Sequence, residues 1–136
     1  MRWDVGHGLG KLVIKNSGAS DGVVILATPT KKPRAKAAIY VRGKSTALVP
    51  SIPDGGFHIY CVLGNGWSPK LKRFVAVHSC EVFWDDGFDD TYYFDFDTTQ
   101  ITGGIVYCKY TICLTRSAGS VARPMEVQEK ELPSLD

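Results

Sequence analysis

The sequence predicts an all-β domain, an antiparallel β-sandwich of about seven or eight strands. Three observations predict it. Short apolar runs are separated by clusters of Gly, Pro, Asn, Asp and Ser, the residues that turns demand. Several of these runs alternate apolar and polar residues with a period of two, as half-buried strands do. No stretch before residue 120 carries the 3.6-residue period of an amphipathic helix.

Each element follows from its residues. Residues 1–9 are glycine-rich and read as a flexible lead-in. Lys11 to Lys15 is a short apolar strand, closed by the turn-rich Asn16 to Gly22. Gly22 to Thr28 is apolar and β-branched throughout, which marks a central strand. Pro29 to Pro33 ends it. Ala37 to Arg42 is the next strand, Gly43-Lys44 a turn, and Ser45 to Val49 the strand after it. Pro50 to Gly56 is a loop. In Phe57 to Leu63, the residues Phe57, Ile59, Cys61 and Leu63 share one face, and His58, Tyr60 and Val62 the other. Gly64 to Pro69 is turn chemistry. Phe74 to Trp84 is an apolar strand. Thr91 to Thr98 alternates, with Tyr92, Phe94 and Phe96 on one side. Ile105 to Leu114 is the longest strand candidate, with Val106, Cys108, Tyr110, Ile112 and Leu114 toward the core. The sandwich therefore occupies 10–116, and 117–136 follows as a polar C-terminal tail. Strands in succession without helices imply mostly antiparallel pairing.

Composition bounds the function. At 136 residues a single domain is expected, and 44% hydrophobic with 22% charged residues is a globular balance. The chain has no run of 18 apolar residues, so no spanning helix is expected. No apolar signal region is visible near Met1, so the default compartment is cytoplasmic. The net charge of +2 is too small to argue for nucleic acid, and such a partner is not expected. Charge is nevertheless segregated. Lys31, Lys32, Arg34, Lys36, Arg42 and Lys44 form one basic stretch without an acid. A strand edge guarded by lysines accounts for it. Six aspartates lie between Asp85 and Asp97. Cys61, Cys80, Cys108 and Cys113 lack C-x-x-C spacing, which argues against a zinc ribbon or a thioredoxin-type pair. Free, mostly buried thiols are the expectation.

Candidate site residues are few. Trp67 lies in the Gly64–Pro69 turn, and an accessible tryptophan is a good anchor for a partner. The acidic loop holds Trp84, Asp85, Asp86, Asp89 and Asp90. Calcium takes six to eight oxygens, and Asp85, Asp86, Asp89 and Asp90 would supply carboxylates, although the spacing is not that of an EF-hand. His78 and Cys80 sit two residues apart on one side of a strand, as a thiol–imidazole couple would. There is no G-x-S-x-G elbow and no phosphate-binding glycine motif.

The stretch from Ile39 to Gly66 carries Ile52, Pro53, Gly55-Gly56 and Phe57, an I-P-x-G-x-[FY] element leading into a strand. It resembles the centre of prealbumin-like and carboxypeptidase-regulatory-like sandwiches. With Gly10 to Asn16, the Tyr40-Val41-Arg42 element and the phenylalanine-rich strand, the chain resembles uncharacterised bacterial domains of that type. The second glycine departs from the single-glycine pattern. The resemblance implies a sandwich and no catalytic residue. Such domains are accessory binding or scaffolding modules. The expectation is a non-catalytic binding or interaction module with a protein partner, its function carried by loops at one end of the sandwich. A calcium-stabilised structural module, and a small enzyme using His78 and Cys80, are the alternatives.

Overall fold

The computed structural model describes residues 2–3, 6, 8–28, 30, 32–85, 94–114, 122–126, 132–133 and 135; at 2–3, 84–85, 95 and 122–126 the description is of the backbone. The strands are β1 (Arg2–Trp3), β2 (Gly10–Asn16), β3 (Asp21–Ala27), β4 (Ala35–Val41), β5 (Ser45–Ile52), β6 (Gly56–Ser68), β7 (Arg73–Asp85), β8 (Phe94–Asp95), β9 (Thr99–Ile101), β10 (Gly104–Val106), β11 (Lys109–Cys113) and β12 (Ala122–Glu126). The described residues contain no helix.

A large antiparallel sheet runs β1-β4-β3-β6-β7-β12, with β8 pairing the start of β6. A small sheet runs β11-β2-β5. Its β2–β5 ladder is antiparallel, but β11 lies parallel to β2, with Ile112 opposite Ile14. The two sheets pack face to face over the main core. Leu12 and Ile14 from β2, Val49 and Ile52 from β5 and Ile112 from β11 meet Val24, Leu26, Ile59 and Phe83 of the large sheet. Phe94 and Phe96 close this core; Tyr110 packs edge-on against both, with centroids 5.0 and 5.1 Å apart. The architecture is the all-β sandwich expected from the alternation.

Strand β3 is central, between β4 and β6. Its last six residues, Gly22 to Ala27, are all buried. A strand covered on one face would bury alternate residues only, so the second face of the large sheet is covered too. Val23, Ile25, Ala38, Tyr60, Val62, Phe74, Cys80 and Val82 form a second apolar cluster there.

Three expectations change. Ile105 to Leu114 is not one strand. Gly104–Val106 folds back on Thr99–Ile101 as a small hairpin, and only Lys109–Cys113 joins the small sheet. Val106, expected in the core, is therefore 50% exposed, while Ile112 and Leu114 are buried. Gly64–Pro69 is not a turn: β6 runs on to Ser68, and the reversal falls at 69–72. Ala122–Glu126 is a strand paired with the end of β7, so this stretch extends the sheet.

The turns at one end are bolted together. Asn16 is 1% exposed, and its Nδ2 lies within hydrogen-bond reach of the carbonyls of Ser20, Val41 and Arg42. Asp21 accepts from the Gly43 amide and from the Tyr40 hydroxyl. A side chain at Gly43 would meet the Ala19 carbonyl oxygen at 2.4 Å, so this turn can close on the 17–20 turn only as glycine.

Candidate functional site

The second apolar cluster opens into a pocket of about 200 Å³. Its floor is the outer face of the large sheet, Ile25 and Val62. One wall is built by the far half of the β6–β7 hairpin: Trp67, Phe74 and Val77. Its roof and rim are Leu71, Lys72 and Arg73 from the hairpin tip, and Leu132, Pro133 and Leu135 from late in the chain.

The local sequence explains the wall. The β6–β7 register shifts between Leu63 and Gly64. Beyond that shift Phe74 turns inward and is fully buried. A Cβ at Gly64 would come within 2.7 Å of the Phe74 ring and 2.4 Å of the Ala76 carbonyl oxygen, so glycine is what seats this phenylalanine. Trp67 then packs edge-on against Phe74, centroids 5.2 Å apart, and against Tyr40 at 6.0 Å. Aromatic edges at these separations hold a ring in a fixed orientation. Trp67 itself is half-buried, a core residue on one side and a pocket wall on the other.

The rim is basic. Lys72 and Arg73 are exposed, and Lys72 Nζ donates to the Leu135 carbonyl at 3.3 Å. Lys72 has a left-handed backbone, φ 52°. Such a conformation is uncommon outside glycine and sets how the tip turns over the pocket. A recess with apolar side chains on its floor and wall and cationic donors at its rim suits a group that is apolar at one end and anionic at the other.

Of the sequence-predicted residues, the structure places Trp67 in this site. Trp84 and Asp85 end β7, paired in backbone with Arg123 and Ala122. Trp67 pairs with Phe74, ten residues earlier on β7. At about 3.3 Å per residue that is about 33 Å along the strand. The two tryptophans therefore belong to opposite ends of the β6–β7 ladder, not to one loop cluster. Asp86, Asp89 and Asp90 lie outside the described residues. Among the described residues no three His, Cys, Asp or Glu side chains group as metal ligands.

His78 and Cys80 part company. Cys80 is buried in the second cluster, whereas His78 is exposed. The His78 ring lies between Ser20 Oγ, 2.8 Å from Nδ1, and Asn65 Nδ2, 3.2 Å from Nε2. An amide nitrogen can only donate, so Nε2 accepts and Nδ1 carries the proton, which it donates to Ser20. Ser20 is then an acceptor, not an activated nucleophile. The trio ties the β2–β3 turn to the hairpin. All four cysteines are free thiols. Burial pushes the Cys61 thiol far up, and the neighbouring Glu81 and Cys80 push it further. That is the reverse of what a reactive cysteine needs.

Sequence reasoning missed the roof. Leu132, Pro133 and Leu135 stand in a stretch whose polarity suggested a tail. The signal was there as a Leu-Pro-x-Leu run beside acidic residues, with a basic Lys70-Leu71-Lys72-Arg73 tip elsewhere in the chain. The chain matches no family model, and it is significantly similar to no curated protein and no solved structure.

Proposed function

We propose that this protein is a non-catalytic binding module, and that the pocket walled by Trp67 is its binding site. One observation carries the reading: a recess of side-chain size opens beside Trp67, with apolar side chains on its floor and wall and Lys72 and Arg73 in its lining. An apolar cavity of about 150 Å³ suffices for a benzene ring, so a recess of this size takes one side chain or one small ring. The rim selects a carboxylate next to it. The resemblance of Ile52–Phe57 to prealbumin-like modules supports the same reading, because modules of that type bind and scaffold.

The test uses 3-phenylpropionate, one ring and one carboxylate, titrated into the full chain and followed by amide and indole N–H resonances. Saturable shifts confined to Trp67, Leu71–Phe74 and Val62 are expected. Val62→Phe, which fills the floor, is expected to abolish them while the fold persists. Shifts that are absent, or that spread without saturating, would reject the site.

A further inference from the structure

We infer that a second surface of the molecule, made by the β9–β10 hairpin and the solvent face of the small sheet, docks on an anionic lipid surface. The aliphatic side chains of the hairpin enter the membrane interface, and the lysines of the sheet meet the headgroups. This surface is separate from the Trp67 pocket and does not depend on it.

The lysines supply the charge. Leu12 and Ile14 of β2 point into the main core, so Lys11, Val13 and Lys15 stand on the opposite, solvent face. The register carries this face across the sheet: Lys109 of β11 lies beside Lys11, and Leu48 of β5 beside Val13. Lys15 follows Lys11 on the same face, about 13 Å along the strand. None of the three strands contains an Asp or Glu. Lys11 and Lys109, on neighbouring strands about 4.8 Å apart at the backbone, repel each other. An acid at either place would relieve that repulsion from within. With none there, an anionic surface relieves it from outside.

The hairpin supplies the apolar part. Thr98 to Cys108 carries no charge, and every residue from Thr99 to Tyr107 is exposed. Gly104 pairs with Ile101 and Val106 with Thr99, which sets Ile101 and Val106 on one face of the hairpin and Ile105 on the other. Ile101 is 56% exposed, and Ile105 and Val106 are each 50% exposed, so both faces show aliphatic side chains to solvent. A protein or a nucleic acid laid against the hairpin covers one face, whereas a membrane interface surrounds both. Aliphatic groups also give bases no ring to stack on. The interface accepts them beside basic side chains. Tyr107 joins the two parts. Lys11 Nζ lies 5.3 Å from its ring centroid, and the Lys11 amide donates to the Cys108 carbonyl at 3.0 Å. The exposed ring is thus held where the hairpin meets the lysines, the level an amphipathic aromatic takes between headgroups and chains.

The experiment is co-sedimentation of the full chain with phosphatidylcholine vesicles, with and without roughly one-third phosphatidylserine. Binding to the anionic vesicles alone is expected. A lysine near such a surface strengthens binding roughly fivefold, so Lys11→Glu with Lys109→Glu is expected to weaken it roughly 25-fold or more. Ile101→Ser with Ile105→Ser leaves the charges in place and is expected to weaken it roughly tenfold or more. Binding that either pair of substitutions leaves unchanged would overturn the inference. So would equal binding to both kinds of vesicle, or binding to neither. Capture of an oligothymidylate but not of the anionic vesicles would overturn it too, and would assign the lysine face to single-stranded nucleic acid. Should a variant unfold, the unaltered chain decides: NaCl at about 0.5 M screens the lysines and is expected to release it from the anionic vesicles, and binding indifferent to salt overturns the inference.

Discussion

The large sheet has two apolar faces, and they are covered by different means. The inner face is covered by a second sheet. Its strands β2, β5 and β11 have their own ladders, and Phe94 and Phe96 fill what they leave. The outer face is covered by pieces: the tip of a hairpin, the rings of Trp67 and Phe74, and the stretch around Leu132 and Leu135. Both covers bury apolar area, which is the dominant favourable term. They differ in what holds the cover itself together. A sheet must lose several hydrogen bonds and its packing at once to open. A tip and a short stretch need lose only a few contacts. The inner face is thus the scaffold, and the outer face is where the molecule can exchange one contact for another.

The largest effect sets the two faces against each other directly. Phe83 and Phe74 are the same residue, both fully buried, one facing each cluster. Phe83→Ala is expected to cost about 4–5 kcal/mol, at the upper end for such truncations, because the inner core cannot close over the vacancy. Phe74→Ala is expected to cost about 3 kcal/mol, because the tip can settle into the space. Urea unfolding checks both. Equal costs would remove the distinction between scaffold and cover.

Tyr40 comes next. Its ring packs on the outer cluster, and its hydroxyl donates to Asp21. Burial pushes the phenol up to about 12, helped by the hydrogen bond to Asp21. The same bond, and the Gly43 amide after it, hold the Asp21 carboxyl below its ordinary value. Tyr40→Phe keeps the ring and removes the bond, with an expected loss of about 1–2 kcal/mol at pH 7. Because the folded-state value of Asp21 is depressed, its contribution is present above the unfolded value near pH 4 and is lost as pH falls through the folded one. The variant is expected to show a shallower acid limb. An unchanged limb would mean that this bond does not hold the turn.

How much of this was legible in the sequence follows from the same contrast. The inner face was legible, since Phe57, Ile59, Cys61, Phe94 and Phe96 sit at alternate positions and all face it. The centrality of Gly22 to Thr28 was legible because no polar residue interrupts its apolar run. The outer cover was not. Trp67 was visible as an anchor, but its partners Phe74, Leu132 and Leu135 lie 7, 65 and 68 positions away in the chain. No local period links them. The break in the 105–114 run was also hidden. Val106 and Tyr107 are as apolar as strand residues should be, yet the Thr102–Gly103 turn draws the first part of the run into an exposed hairpin. The parallel β11–β2 pair is set by chain return across the sandwich, which no residue pattern specifies.

A kinetic prediction sharpens the contrast through the thiols. Cys61 is buried in the inner cluster and Cys80 in the outer one. Labelling of native protein with iodoacetamide, read by peptide mass spectrometry, is expected to reach the half-buried Cys108 and Cys113 first. Cys80 should follow through local opening of the outer cover. Cys61 should react only through global unfolding, more than tenfold slower than Cys80, which corresponds to opening energies differing by more than about 1.4 kcal/mol. Equal rates for Cys61 and Cys80 would show that both faces open together.

The smallest expected effect concerns pH near neutrality and again belongs to the outer face. His58 alternates with Tyr60 and Val62 on β6, and its ring stacks on Tyr60 with centroids 6.2 Å apart and planes 18° from parallel. Burial holds its imidazole below the ordinary histidine value. The folded chain therefore binds a proton less readily here than the unfolded chain does. Above the unfolded value of about 6.5 the ring is neutral in both states and stability is unaffected. As pH falls below it, the unfolded state gains its proton first, and stability is lost until pH has passed through the lowered folded value. Urea midpoints at pH 7.5 and 5.5 are expected to differ, and the difference is expected to shrink in His58→Gln. If the loss on acidification also raises the labelling rate of Cys80 relative to the unfolded chain at the same pH, and leaves that ratio unchanged for Cys61, the proton acts on the outer cover alone. If both thiols accelerate equally, His58 reports on the whole sandwich, and the division between the two faces does not extend to β6.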